Sequence, residues 1–342
     1  MNIGMSVKAR LHILRSYVPG VLVCMVIALA ATFVSGHYGG PQLLYALLIG
    51  LAFHFLSSSP QTAKGVQFCG RSVLRMGVAL LGARITLAQV GKLGAETGAV
   101  LVLAVLLTIG FGLLLARWLK CSREEGLLTG GAVAICGASA ALSISSVLPQ
   151  SKENERFTLL AVVGVTVLST MAMVVYPFSL QVLGLLPGQI GIVLGGSIHD
   201  VAQVVAAGMM LGPQAADTAT VVKLFRVMML MPVVLLITLV YRKHPAVRLP
   251  EADQPLIPGF LLAFIVLVLL ASAGVITPWL TQLTSDASRW MLVTAIAAAG
   301  VKTSFEDLLK LGWKPVALLL SESAFLLVFV VLAVLLLKLG TR

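Results

Sequence analysis

The chain has 342 residues, of which 59% are hydrophobic and only 11% charged, against about a quarter charged in ordinary soluble domains. That composition excludes a soluble globular domain and specifies an integral membrane protein. The formal net charge of +11 comes from lysines and arginines scattered singly between apolar runs, with no basic patch interleaved with aromatics, so nucleic acid is not an expected partner.

Windows of about 20 residues predict eleven membrane spans, at 18–35, 41–57, 72–91, 97–117, 126–148, 157–178, 187–210, 217–240, 257–276, 289–304 and 315–338. All are read as helices, because an open sheet cannot satisfy its backbone polar groups in lipid and no short alternating strands are visible. The expectation is an all-α polytopic membrane protein. The first span follows Lys8, Arg10 and Arg15 and contains Ala28-Leu29-Ala30, which raises a cleaved signal peptide as an alternative; the apolar run continues past that triplet and favours a retained span.

With the N-terminus inside, one set of connectors holds thirteen cations: Lys8, Arg10, Arg15, Lys64, Arg71, Arg117, Lys120, Arg123, Arg242, Lys243, Arg248, Lys310 and Lys314. The opposite set holds six, Lys92, Lys152, Arg156, Arg289, Lys338 and Arg342. The positive-inside rule therefore places the N-terminus in the cytoplasm and the C-terminus outside.

Two spans resist a continuous helix. The fifth carries Gly130, Gly131, Gly137 and Ser139 near its middle. Such a run fits close helix packing, as Gly126-x-x-x-Gly130 and Gly191-x-x-x-Gly195 also do. It equally fits an unwound point where the half-helix starting at Ala138 and Ser139 aims free N–H groups at an anion. The tenth span offers a counterpart around Ala297–Ser304, with Thr303 and Glu306 or Ser304 and Asp307 readable as a fresh helix cap. Spans five and ten differ by an odd number, so five-helix inverted repeats at 41–178 and 187–338 are expected, with 1–40 as an extra span and two crossed broken helices. A second similarity, Gly82-Ala83-Arg84 to Lys92-Leu93-Gly94 against Gly300-Val301-Lys302 to Lys310-Leu311-Gly312, would pair spans three and ten instead. It is short and of low complexity and is read as coincidence.

Charges inside the spans point to cargo. Asp200 and Glu322 are the acids there, against Arg75, Arg84, Lys223, Arg226 and Lys302. Each intramembrane charge is costly and marks a site or pathway. Lys223 and Arg226, three apart, share a helix face, and surplus positive charge suits an anion. His199 and Gln203, four apart, would share a face on a continuous helix, with Asp200 rotated by about 100° from His199. Asp200 then either pairs with Lys223 or Arg226 or, with His199, carries a coupling proton. His54 reads as a packed histidine, and Glu322 as a scaffold partner for Arg75 or Arg84. The four cysteines, Cys24, Cys69, Cys121 and Cys136, include no C-x-x-C pair, so neither a disulfide framework nor a metal site is indicated.

The runs Gly130-Gly131 through Ile135-Cys136-Gly137-Ala138-Ser139-Ala140, Gly195-Gly196-Ser197-Ile198-His199-Asp200-Val201-Ala202-Gln203 to Gly208, and Lys223-Leu224-Phe225-Arg226 with Pro232 resemble the YeiH-type family of bacterial inner-membrane proteins, described as sulfate exporters. The resemblance covers nearly the whole chain. It implies the fold group of cation/proton antiporters and anion transporters, an inner-membrane location, and sulfate or a related sulfur oxyanion as cargo.

The function expected is a secondary transporter of a small anion, with substrate held by Gly137, Ala138, Ser139, His199, Gln203, Lys223, Arg226 and Lys302, and protons exchanged at His199 and Asp200. Its partners would be the anion, the lipid bilayer, a coupling proton or sodium ion and, as an open option, a second copy in a homodimer; no cofactor or metal is expected. A sodium/proton antiporter is the main alternative, disfavoured because the crossing segments carry no acid. An intramembrane hydrolase using Ser139, His199 and Asp200 is remote, since neighbouring His199 and Asp200 side chains diverge on a helix. In a fusion experiment, a C-terminal reporter should be active only in the form that works outside the cytoplasm, and one placed after Arg248 only in the cytoplasmic form. Reporters scoring on the same side would refute this orientation.

Overall fold

A computed structural model of the chain describes residues 7–39, 41–149, 152–241, 259–303 and 312–341, and the regular elements among them are all helical. Helical structure is what an apolar sequence must adopt in lipid, where backbone groups have to be satisfied within the segment. Five helical stretches are long and apolar enough to cross a bilayer: Arg15–Tyr38 within α1 (Val7–Tyr38), α6 (Gly94–Trp118), Arg156–Val182 within α9 (Lys152–Val182), the consecutive α12 (Pro213–Met228) and α13 (Leu230–Tyr241), and α16 (Trp313–Leu336).

The chain divides into two compact units, Met1–Thr86 with Ala263–Ser304, and Leu87–Leu262 with Phe305–Arg342. Each unit draws on both halves of the sequence, a different partition from 1–40, 41–178 and 187–338.

In the first unit, α1, α2 (Gln42–Ala52), α3 (Ala63–Phe68), α4 (Leu74–Leu81) and α15 (Pro278–Lys302) pack through small residues that let backbones touch. Gly20 on α1 lies against Gly65 on α3, and Gly50 on α2 against Gly300 on α15. The buried Ser288 hydroxyl donates to the Gly77 carbonyl at 2.6 Å, and His54 Nδ1 lies 2.9 Å from the Val301 carbonyl, a packed histidine as expected. Helix α15 runs unbroken from Pro278 to Lys302, so there is no unwinding at Ala297 to Gly300, which are the face on which α2 packs; the chain leaves the helix at Thr303, in extended conformation. Ser304, Glu306 and Asp307 of the expected cap lie outside the described residues.

The second unit is built around two helical hairpins. Helix α7 (Arg123–Ala134) and helix α8 (Ala138–Val147) fold back on each other, bringing Gly131 against Ile144. The turn is Gly137, at φ 65° and ψ −126°, a region open to glycine. Helix α8 then runs antiparallel to α9, with the Thr158 hydroxyl donating to Ser145 Oγ at 2.8 Å. The second hairpin pairs α10 (Pro187–Ser197) with α11 (Val201–Leu211). Gly191 lies against Ala215 and Thr218, and Gly195 against Ala219 and Val222, so α10 runs parallel to α12; Gly208 lies against Ala216, so α11 runs antiparallel to it. The arms of both hairpins are 10 to 12 residues long, roughly 15–18 Å at 1.5 Å per residue and about half of a hydrocarbon core. They enter from opposite ends of α9. Spans five and seven therefore turn back at mid-length, and the partner of the break in span five is the break in span seven.

The only non-glycine residues with left-handed backbone among those described are Lys120 (φ 55°) and Lys338 (φ 50°), 218 positions apart. The same shift carries Gly94 (φ 74°) onto Gly312 (φ 79°) at the starts of α6 and α16. It also carries the closing bond of α6, Cys121 N–H to the Ala116 carbonyl at 2.8 Å, onto that of α16, Leu339 N–H to the Val334 carbonyl at 3.1 Å. Helix α2 maps onto α14 (Gly259–Ser272), and the α3 to α4 stretch onto α15. The similarity of 82–94 to 300–312, which its length alone would class as coincidence, falls at this same 218-residue shift.

Gly126 on α7 approaches the Gly112 carbonyl so closely that an added Cβ would sit 2.6 Å from it, whereas Gly110 on α6 has nothing within 4 Å. Gly126→Ala should destabilise by roughly 1–3 kcal/mol, the usual scale of overpacking, and Gly110→Ala should be neutral or mildly stabilising. Thermal unfolding in detergent should show this order, and equal transitions for the two variants would contradict the close α6–α7 contact.

Candidate functional site

The two hairpin tips meet near the middle of α9, where Gly137 packs against His199 and Val165. At each tip a helix ends with its last carbonyls unpaired by the helix itself, which inside a membrane protein demands other donors. Those donors are the two cations of α12. Lys223 and Arg226 are fully buried, one turn apart on a helix that runs beside both α10 and α11.

Arg226 Nε donates to the Ala134 carbonyl at 2.9 Å, Nη2 to Val133 at 2.8 Å and Ala134 at 2.6 Å, and Nη1 to Gly195 at 3.0 Å and Ile198 at 3.2 Å. Lys223 Nζ donates to Ile135 at 2.7 Å and Ile198 at 2.8 Å. A guanidinium has five N–H donors in a fixed fork, and five carbonyl contacts occupy them. The pair thus staples the C-terminal ends of α7 and α10 together and places two positive charges behind the tips. For Arg226 this differs from direct anion contact, because its donors already have partners.

Behind each tip a new helix begins. Helix α8 starts after Gly137, which has no side chain to cap it, so its first N–H groups are left uncapped by any side chain. Ala138 is half-buried and Ser139 exposed in the isolated chain, and the Ser139 hydroxyl lies 3.2 Å from the Cys136 carbonyl and 2.9 Å from its Sγ. Helix α11 is capped by Asp200, whose Oδ1 accepts from the Ala202 N–H at 2.8 Å, while the Asp200 N–H donates to Ser169 Oγ on α9 at 3.0 Å.

His199 lies in the break between α10 and α11, flanked by the extended Ile198 and Asp200, so it and Gln203 do not share a continuous helix as their spacing suggested. Both are nonetheless buried beside the tips. His199 Nε2 lies 2.9 Å from Ser323 Oγ on α16, and the Gln203 amide donates to Thr170 Oγ1 on α9 at 2.8 Å. His199 Nδ1 and Gln203 Oε1 make no hydrogen bond among the described residues. Lys302 ends α15 in the first unit, exposed and beside Gly70. Glu322 Oε1 lies 2.8 Å from the Thr129 hydroxyl on α7, within the second unit.

The sequence reading missed the tip carbonyls and the polar residues that hold the tips, Ser169, Thr170 and Ser323. The available signal was two short polar interruptions, Ser169-Thr170 and Ser321-Glu322-Ser323, midway along otherwise apolar helices.

Residues 19–319 match a family model described as "Conserved hypothetical protein 698". A UPF0324 membrane protein of Chlorobaculum tepidum is 50% identical, over 92% of this chain and 88% of its own. The UPF0324 membrane protein TauZ of Paracoccus denitrificans is 48% identical over 91% of this chain and 93% of its own, and a UPF0324 membrane protein of Corynebacterium glutamicum is 31% identical over 90% and 89%. No solved structure matches the chain.

Lysine at position 226 would keep the charge and lose the fork, so it cannot bridge four carbonyl-bearing residues of two hairpins. Arg226→Lys should lower stability by several degrees in a thermal scan, and Arg226→Ala, which leaves the carbonyls unpaired, by roughly 3–5 kcal/mol. A wild-type melting temperature for both variants would show that the staple is dispensable.

Proposed function

The chain belongs to the UPF0324 family of membrane proteins, the family to which its YeiH-like motifs point, and from that premise we propose that it is a secondary transporter moving a small anion across the bacterial inner membrane by alternating access. The observation that carries this reading is the pair of half-length hairpins meeting tip to tip over Lys223 and Arg226. Helix ends carry roughly half a unit of charge each, so the two carbonyl ends offset about one of the two cationic charges. The N-terminal ends of α8 and α11 offset the Asp200 carboxylate. About one positive charge remains at the tips, and that sign favours an anion over sodium.

In this reading the anion meets the uncapped N–H groups at Ala138 and Ser139, with Gly137, whose own N–H donates to the Ala132 carbonyl, leaving room for its approach, and with His199 Nδ1 and Gln203 beside it. Lys223 and Arg226 act through their field while their hydrogen bonds hold the tips. The Asp200 carboxylate caps α11, which leaves His199 as the better proton carrier at this site. Sulfate or a related sulfur oxyanion is the cargo implied by the family resemblance. A sodium/proton antiporter is less well supported, since Asp200 is the one carboxylate at the tips. A hydrolase is less well supported still, since His199 Nε2 faces Ser323 and not Ser139.

The hairpins also suggest how access alternates, because a site at tips that enter from opposite membrane faces can open to either face. If α7–α8 is re-entrant, Lys152 and Arg156 fall on the cytoplasmic side and the positive-inside bias becomes fifteen against four. The 218-residue shift then makes 41–120 and 259–338 the matching parts of two inverted repeats. The second hairpin, with α12 and α13, completes the later repeat from an earlier position in the chain.

The direct test is flux of a panel of anions into proteoliposomes under imposed pH and sodium gradients. Saturable anion flux is expected, and cation/proton exchange with no anion flux would refute the proposal. Ser139→Ala should raise KM roughly two- to tenfold, as the loss of one hydrogen bond worth about 0.5–1.5 kcal/mol implies. His199→Gln cannot carry a proton and should flatten the dependence of flux on pH that the wild type shows. A profile identical to wild type would remove His199 from coupling.

A further inference from the structure

Glu322 lies in the middle of α16 with no exposed surface, packed where α16 meets α6 and α7. An added Cβ on Gly112 would strike its Oε1. Among the described residues its hydrogen-bond partner is Thr129 on α7, at 2.8 Å. Oε2 has none among the described residues.

The protons around this contact can be counted. Thr129 Oγ1 lies 3.0 Å from the Glu125 carbonyl and 2.8 Å from Glu322 Oε1. A threonine hydroxyl has one proton to donate. The Glu125 carbonyl can only accept, so when that proton points to it, the second contact is a hydrogen bond only if the carboxyl supplies the proton. A carboxylate would instead be a fully buried charge with at most one donor, a costly arrangement.

No other titratable group among the described side chains of the elements packed against Glu322 is bonded to it. Glu96 and Arg117 on α6, Arg123 on α7 and Arg156 on α9 are exposed. Glu124 is bound to the Tyr241 hydroxyl and Glu125 to the Ser122 N–H. Tyr176 sits near the far end of α9, and α10 has no titratable residue. His199 is bound to Ser323, the residue next to Glu322 on α16.

We propose that Glu322 is a proton-binding site: in the state described it is a neutral acid donating to Thr129 Oγ1, and it exchanges that proton with water when the α7–α8 hairpin shifts against α6 and α16. On release, the Thr129 hydroxyl turns from the Glu125 carbonyl to the new carboxylate, and the proton passes to solvent. Consecutive residues of α16 then hold both hairpins, Glu322 through Thr129 and Ser323 through His199, so one helix couples proton occupancy to the position of the tips. The protonation step stands apart from the anion assignment, whereas the exchange step rests on the transporter reading.

Infrared difference spectroscopy of the purified protein at neutral pH tests the first step without any cargo. A protonated-carboxyl band present in wild type, absent in Glu322→Gln and displaced to higher frequency in Thr129→Val is expected. A wild-type protein lacking a band that Glu322→Gln removes would overturn the proposal whether or not anion flux is found. Glu322→Gln preserves shape and can still donate to Thr129. It should bind and exchange anion across liposomes while its pH-gradient-driven accumulation falls to the level of protein-free vesicles. Undiminished driven accumulation in this variant would overturn the exchange step, whereas absence of anion flux in wild type would overturn the transporter reading alone.

Discussion

The second unit depends on one constraint: backbone carbonyls at the ends of broken helices must be paired at a depth where water is scarce. The break after Ala134 and the break after Ser197 are both satisfied by side chains of α12, through the Arg226 fork and the Lys223 ammonium. A single guanidinium touching both α7 and α10 fixes the distance between hairpin tips. Charges that are expensive to bury become tolerable because the helix ends they meet are themselves negative dipole ends. The same arrangement leaves the opposite, positive ends of α8 and α11 facing the space beside the tips, so the device that closes the backbone also sets the sign of the site.

The sequence made some of this plain and concealed the rest for physical reasons. Lys223 and Arg226 stood out because charge in an apolar run needs a purpose, and Gly137 stood out because glycine clusters interrupt helices. Their partners were not legible, since a backbone carbonyl carries no residue signature. Hairpins were hard to foresee for a related reason: a re-entrant pair of ten-residue arms has the same total length and apolarity as one crossing helix, and hydropathy windows cannot separate them. The His199 and Gln203 pairing was misjudged because it assumed a helix through Ile198 to Asp200, although Asp200 is a good N-cap residue and caps α11 in the structure.

Within the tenth span, Ala297-Ala298-Ala299-Gly300 has the composition of a breakable segment, yet in α15 it stays helical and forms a smooth face for Gly50 of α2. Small residues permit both close packing and unwinding, and only the neighbours decide. The short similarity between 82–94 and 300–312 held more information than its length suggested, because it fell on the left-handed glycines that begin α6 and α16. Reading the repeat as an uninterrupted succession of five spans hid it, since the matching elements of the later half are in a different order along the chain.

The central claim is that spans five and seven are hairpins stapled at their tips and entering from opposite faces. Cysteines introduced singly at Ser122, Ser151, Gly184 and Gly212 of a cysteine-free variant, and labelled with an impermeant maleimide in oriented vesicles, test it most directly. The hairpin account predicts that Ser122 and Ser151 label from one face, and Gly184 and Gly212 from the other. Labelling of Ser122 and Ser151 from opposite faces would mean that the fifth span crosses the membrane, and would contradict it.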